Sequence, residues 1–356
     1  MTDLSRWHTW REIHAQPAIW AGWAQGLDIA GLRGWIAGLD VDEVWFCGAG
    51  TSAYIGEIIA AGMERAPGPC LRAVATTDIV SRPQTYLTGR RPLVVSFGRS
   101  GNSTESIGTL DALDALAPDA PRLAITCNPT GTLATRLRGI DRAVVLPEAT
   151  HDAGFAMTSS FSTMLLTALA LFDPVPDAPA RMAALAAQLR ALLPGLARFA
   201  TGPLPERVVF VGAGPLAFAA RESALKVMEL TAGQIPALWD STLGFRHGPK
   251  SFVRGDTAIF VLTAPDPHAA RYDADLVAEL RAQFPAARVT AVGPGGDIAI
   301  AMPFGATWGA PLAVALAQVL AVMWSDRLGL DADSPFEGQG TLSRVVAGVT
   351  LYPVAP

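Results

Sequence analysis

Short apolar runs of strand length alternate with helix-length stretches along this chain. Glu43-Val44-Trp45-Phe46-Cys47, Pro92-Leu93-Val94-Val95-Ser96-Phe97 and Arg122-Leu123-Ala124-Ile125-Thr126 are three such runs. Arg207–Val211, Thr257–Leu262 and Arg288–Val292 echo them, with Gly50 answered by Gly214 at an offset of 164 positions. Apolar strands without polar alternation are covered on both faces, and strands separated by helices pair in parallel. The pattern predicts an α/β protein made of two copies of one unit, each a parallel sheet flanked by helices.

Before the first run, Trp7, Trp10, Ile13, Trp20, Trp23 and Leu27 recur at helical spacing. Residues 1–40 are therefore expected to form an N-terminal helical arm whose apolar stripe packs against a domain or a partner subunit. An alanine- and leucine-rich helix beginning near Ala178 ends at Thr201-Gly202-Pro203-Leu204-Pro205. That break places the first unit at 41–200 and the second at 201–356. Two further stretches, Phe155–Phe172 and Ala310–Trp324, are strongly apolar. The first carries Thr158, Ser159, Ser160, Ser162, Thr163 and Thr167, and the second is too short to cross a bilayer, so both read as buried helices.

Composition narrows the function classes. With 356 residues, 50% of them hydrophobic and only 17% charged, the chain is expected to bury two cores and an oligomer interface as well. A net charge of -5 without a basic run argues against nucleic acid. Cys47, Cys70 and Cys127 are too few and too scattered for a disulfide framework or a zinc site, and they read as small buried thiols. The polar start, Met1 to Trp7, has no apolar signal core, which points to the cytoplasm and away from a membrane.

Two loops carry the first candidate chemistry. Gly48-Ala49-Gly50-Thr51-Ser52 and Gly98-Arg99-Ser100-Gly101-Asn102-Ser103-Thr104 each end an apolar run and open a helical one. Amides at a helix N-terminus point at an anion, the helix dipole favours it, and hydroxyls add donors, so the two loops read as a phosphate cradle. Thr51, Ser52, Ser100, Asn102 and Ser103 are the candidate phosphate ligands, with Gly50 and Arg99 beside them. Ser103 is also suited to capping the following helix. Ser159 and Ser160 either cap a helix or line the same pocket. In the second copy, Thr263-Ala264-Pro265-Asp266-Pro267 offers no glycine and one hydroxyl, so only the first unit looks equipped for phosphate.

The second unit carries different residues. Lys226 and Glu229 stand three apart on an apolar helical stretch and share a face, where two charges need a partner or a task. His247 lies in Leu243-Gly244-Phe245-Arg246-His247-Gly248-Pro249-Lys250-Ser251, a glycine- and proline-bracketed loop suited to reaching a ligand. His8, His14, His151 and His268 have no such company. Gly48-x-Gly50-x-x-Ala53 and Gly212-x-Gly214-x-x-Ala217 fit a dinucleotide fingerprint, but Asp78 and Asp240 fall too late to hold a ribose, and a dehydrogenase has no use for the serine-rich second loop.

Taken together, these motifs resemble the sugar isomerase (SIS) domain superfamily, and the chain looks like the tagatose-6-phosphate ketose/aldose isomerase family. The resemblance runs from Thr9-Trp10-Arg11-Glu12-Ile13 through Met157-Thr158-Ser159-Ser160-Phe161, Glu229-Leu230-Thr231-Ala232-Gly233 and Gly244–Ser251 to Gly348-Val349-Thr350-Leu351-Tyr352-Pro353. It implies two tandem SIS domains, the first for phosphate and the second bearing the catalytic helix and the histidine loop. It also implies action on amino-sugar phosphates with no metal or organic cofactor. By resemblance to the isomerase half of glucosamine-6-phosphate synthase, Glu229 matches the base that moves a proton between C2 and C1. Lys226 matches the lysine that assists at the sugar oxygens. His247 matches the ring-opening histidine, which in that relative comes from the other subunit, implying a homodimer or dimer of dimers with a shared active site. Ser52, Ser100 and Ser103 match phosphate-binding hydroxyls, whereas Arg99 stands for a glutamine and Asn102 for a glutamate. The tail to Pro356 holds no lysine, so no C-terminal lysine is carried over.

The chemistry follows from the side chains. A cyclic sugar phosphate must open before its C2 proton is acidic, and a histidine titrating near neutrality suits that step. Glu229, in an apolar surround that disfavours its charge, can then take the C2 proton. With oxygen on C2 the product is a ketose phosphate; with an amine it is an imine, whose hydrolysis releases ammonia. The expected reaction is galactosamine-6-phosphate to tagatose-6-phosphate and ammonia. Glucosamine-6-phosphate deamination and plain aldose/ketose isomerisation are the alternatives. A non-catalytic phosphosugar sensor is the alternative from another class.

Overall fold

The computed structural model describes residues 3–64, 68–338 and 349–355; Gly348 and Pro356 lie outside the described residues. Along the chain come α1 (His8–Gly26), α2 (Ile29–Ala37), β1 (Glu43–Cys47), α3 (Thr51–Gly62), β2 (Cys70–Ala73), α4 (Thr76–Ser81) and α5 (Pro83–Leu87). Then follow β3 (Leu93–Gly98), α6 (Thr104–Leu116), β4 (Arg122–Thr126), α7 (Thr132–Thr135), β5 (Arg142–Val145), α8 (Ser159–Phe172) and α9 (Ala178–Leu196). The remainder is β6 (Arg207–Gly212), α10 (Pro215–Leu230), β7 (Ala237–Ser241), β8 (Thr257–Leu262), α11 (Pro267–Gln283), β9 (Arg288–Gly293), β10 (Ile298–Ala299) and α12 (Gly305–Arg327).

The strands make two five-stranded parallel sheets, ordered β2-β1-β3-β4-β5 and β10-β9-β8-β6-β7. Read from β7, the second order repeats the first. Registers correspond as well: Val44 pairs with Leu93, and Val208 pairs with Ala258. The inner strands β3, β4, β6 and β8 are buried along nearly their whole length, Val94 and Val95 in β3 and Val261 and Leu262 in β8 among them, as their unbroken apolar runs require, whereas the first four residues of β9 are half-buried.

Glycines fix the strand-to-helix turns. A Cβ on Gly48 would stand 2.5 Å from the Ser52 backbone carbon, and one on Gly212 would stand 2.8 Å from that of Leu216, so α3 and α10 start tight against their strands. Gly50 and Gly214 both take φ 55, with ψ -130 and -127, a region closed to residues with a Cβ.

Contacts divide the chain into two compact units, neither of them continuous in sequence. One takes the chain up to Pro17, Ala153–Thr158 and, of the described residues, the stretch from Ala184 to Gly338; it holds the β6–β10 sheet. The other takes Ala18–Asp152 and Ser159–Ala183 with the C-terminal end, and it holds the β1–β5 sheet. The residues expected as one arm, 1–40, are shared between them, and Pro17 inside α1 marks the change. In the first unit, Asp333 accepts the amides of His8 at 2.7 Å and Thr9 at 2.8 Å, capping α1, and Trp7 donates to Asp326. In the second, Trp20, fully buried, donates to Ser162 at 3.1 Å and Trp23 to Thr167 at 2.8 Å, both on α8. These three indoles thus pack within the chain.

Two expectations need correction. Ala310–Trp324 is only part of α12, whose 23 residues are long and apolar enough to span a bilayer; 83% of its apolar window is nevertheless buried, largely through packing on α10. Cys70 is exposed on the edge strand β2, unlike buried Cys47 and Cys127. Burial pushes the thiol of Cys47 far up and that of Cys127 to about 12. Since the thiolate is the nucleophile, native protein at pH 8 should take up one equivalent of iodoacetamide, at Cys70, and three after denaturation. Rapid uptake of more than one in the native state would contradict this burial.

Candidate active site

Because β1 and β3 are neighbouring parallel strands, their two loops leave the same carboxyl edge of the sheet. Thr51 and Ser52, both buried, begin α3, and exposed Gly50 precedes them with no side-chain cap. In the second loop, Gly101 takes φ 66 and the exposed Ser100 accepts the amide of Asn102 at 3.2 Å. Ser103 does cap α6: its hydroxyl accepts the Ser106 amide at 3.3 Å and lies 2.7 Å from the Ser106 hydroxyl. Asn102 turns its carbonyl oxygen to the neighbouring loop, accepting from the Thr132 amide at 2.8 Å and hydroxyl at 2.9 Å. Asn128 donates to the Ser100 carbonyl at 2.9 Å, so this loop is pinned to the one after β4.

Ser159 and Ser160 are fully buried at the start of α8. Asp152 receives both amides at 3.0 Å and the Ser160 hydroxyl at 2.5 Å, which makes it the cap of that helix. The serine pair is thus capped by Asp152 and does not itself cap α8. Arg99 reaches the Asp152 carbonyl at 3.5 Å.

In the other unit, α10 presents a three-residue charge cluster. Lys226 is completely buried, 2.5 Å from Glu229 and 3.3 Å from Glu222, whose side chain is also completely buried; Glu229 is 14% exposed. Glu222, Lys226 and Glu229 fall at i, i+4 and i+7, a single helical face. Burial alone would push the Lys226 ammonium down, but the two carboxylates outweigh it and hold its pKa above the usual lysine value. The surround of Glu229 therefore differs from the one expected. Lys226 stands beside the carboxylate as their spacing predicts, but Met228 next to it is exposed rather than buried, so the surround is less apolar than expected. The arrangement suits a carboxylate that reaches solvent or substrate on one side and an ammonium on the other.

His247 is exposed and ends a 3-10 turn, its amide bonded to the Gly244 carbonyl at 2.8 Å. Its ring makes no hydrogen bond to the described residues. On either side, Arg246 binds Glu279 of α11 at 2.7 Å and Lys250 binds the other oxygen of the same carboxylate.

The second sheet has its own switch-point cavity, about 510 Å³, lined by Gly214, Pro215, Pro265, Asp266, Met302 and Gly305 among others. It is a poor phosphate site. Pro215 and Pro267 bring no N–H to their helix starts, and Asp266 already occupies the start of α11, accepting the amides of His268 and Ala269 at 3.0 and 2.9 Å. None of Glu222, Lys226, Glu229 or His247 lines it. Among the described residues, no group of three His, Cys, Asp or Glu side chains is placed to hold a metal.

A SIS domain model matches residues 40–173, which contain the two hydroxyl-bearing loops and α8. The chain is 39% identical over 369 residues to a D-galactosamine-6-phosphate deaminase AgaS of Escherichia coli O157:H7, covering 97% of this chain and 96% of that protein. The chain belongs to the AgaS family of SIS-domain proteins. A second AgaS relative, the D-galactosamine-6-phosphate deaminase of Shewanella sp. (strain ANA-3), is 37% identical over 371 residues, covering 99% of this chain and 94% of that one. The crystal structure of tagatose-6-phosphate ketose/aldose isomerase from Escherichia coli superposes with a TM-score of 0.88 at 35% identity, covering 99% of both chains. The likeness of this AgaS-family chain to its relatives thus extends over both sheets, including the β6–β10 unit that lies beyond the matched SIS segment.

Proposed function

We propose that this chain converts galactosamine-6-phosphate to tagatose-6-phosphate and ammonia, in the cytoplasm and without a metal or organic cofactor. The carrying observation is the Glu229 carboxylate, partly exposed and paired with a buried ammonium, on a chain similar throughout to proteins named galactosamine-6-phosphate deaminase. Thr51, Ser52, Ser100 and Ser103, with Gly50, Arg99 and Asn102, hold the substrate phosphate and its surroundings. His247 opens the pyranose ring. Glu229 removes the C2 proton of the open amino sugar and delivers a proton to C1, leaving an imine at C2. One water then hydrolyses the imine, and ammonia departs as the C2 ketone forms. Lys226 keeps the developing charge on the sugar oxygens low in energy. Turnover in deuterium oxide should place deuterium at C1 of the ketose to the extent that Glu229 exchanges its proton with water, and substrate deuterated at C2 should turn over more slowly; a product free of deuterium together with an unchanged rate for the labelled substrate would contradict this proton transfer.

The same reading makes the protein a homodimer or a dimer of dimers formed from two duplicated SIS units, with His247 supplied by the partner chain. The exposed, unbonded imidazole supports this. Glu229→Gln and His247→Ala chains, each nearly inactive, should regain activity when mixed and reassembled, in proportion to the heterodimer. Demonstrated subunit exchange without any regain would place both residues in one chain.

A further inference from the structure

The segment around His247 is two short turns meeting at a hinge. Gly244–Arg246 forms one 3-10 turn and Pro249–Phe252 another, and Gly248 between them takes φ 123, a backbone region that favours glycine. Each turn is closed by its own backbone bonds: His247 to Gly244 on one side, Ser251 to Gly248 and Val253 to Lys250 on the other. What crosses the hinge is Glu279. One of its oxygens takes the Arg246 guanidinium at 2.7 Å and the other takes the Lys250 ammonium. The three side chains are only 22–25% exposed, so water screens this three-charge arrangement less than it screens an ordinary surface pair.

We infer that Glu279 is a positioning residue for His247: by holding Arg246 and Lys250 together it sets the angle of the hinge and hence where the imidazole is presented. The inference rests on the proposed ring-opening role of His247. A side chain carried by a glycine hinge explores many orientations, and a displacement of about 1 Å in a catalytic group costs up to about 100-fold in rate. Glu279 itself touches neither substrate nor reacting atoms, so its loss should appear in kcat and leave KM alone.

The test is a double-mutant cycle on the full-length protein, measuring kcat and KM on the amino-sugar phosphate for Glu279→Gln, His247→Ala and the double variant, with Glu279→Asp alongside. Glu279→Gln should lower kcat about tenfold or more with KM unchanged. Glu279→Asp, which keeps the charge, should recover part of that loss. In the His247→Ala background, Glu279→Gln should cost nothing further, because a residue acting only through the imidazole has nothing left to position. Additive losses would show Glu279 to be merely structural and overturn the inference. So would an impaired His247→Ala beside a Glu279→Gln of normal turnover, which leaves the ring-opening role standing. A His247→Ala variant with normal turnover would instead remove that role, and the inference with it.

Discussion

Glu229→Gln is expected to lose roughly 100-fold or more in turnover, the scale of a positioned general base. The substitution is nearly isosteric and removes only the basic oxygen. Lys226 keeps Glu222 at 3.3 Å, so the buried ammonium retains a carboxylate and the fold should survive. Substrate binding should change little, since the phosphate loops are untouched. Steady-state kinetics with thermal denaturation of the same preparation check this together. Turnover near that of the wild type would remove Glu229 from the mechanism, and a collapsed melting temperature would assign it to stability instead.

Lys226→Met is expected to be inactive and also unstable. The substitution takes away the cation from Glu222, a carboxylate with a completely buried side chain, and breaking a buried ion pair by removing one partner costs about 3–5 kcal/mol. The melting temperature should fall by on the order of 10 °C. The pH direction follows from the raised pKa of Lys226. Its stabilisation is fully present below the ordinary lysine value of about 10.4 and is lost only as pH rises through the higher folded value, so at pH 7 the variant forgoes all of it. Adding Glu222→Leu to Lys226→Met should restore much of the melting temperature but none of the activity, because a buried ion pair replaced by apolar side chains is often neutral or stabilising. A single variant that melts with the wild type would show that the cluster carries no such charge balance.

How much of this was legible in the sequence depends on the range of the interaction. The apolar runs at 92–97 and 257–262 appear as β3 and β8, because a strand covered on both faces has no polar positions to confuse its period. The loops after β1 and β3 were legible from glycines and hydroxyls within a few residues of each other. Glu222 was missed although its signal was local: four positions before Lys226, it is a helical neighbour by spacing alone. Asp152, Glu279 and Asp333 were hidden for a different reason. Their partners lie 7 to 8, 29 to 33 and more than 300 positions away, and only the folded chain shows which amide or cation each one meets. The exposure of Cys70 follows from β2 taking the edge of its sheet, which is a matter of strand order.

The most direct measurement is product analysis with the wild-type chain. Galactosamine-6-phosphate, glucosamine-6-phosphate and the unphosphorylated amino sugars would be incubated separately, with ammonia and ketose phosphate quantified in each and Glu229→Gln as control. Ammonia and tagatose-6-phosphate should form from galactosamine-6-phosphate in equal amounts, far faster than either product forms from the unphosphorylated sugars, and the control should be nearly silent. Release from glucosamine-6-phosphate at a higher rate would correct the epimer, whereas no ammonia from any hexosamine 6-phosphate would contradict the central claim.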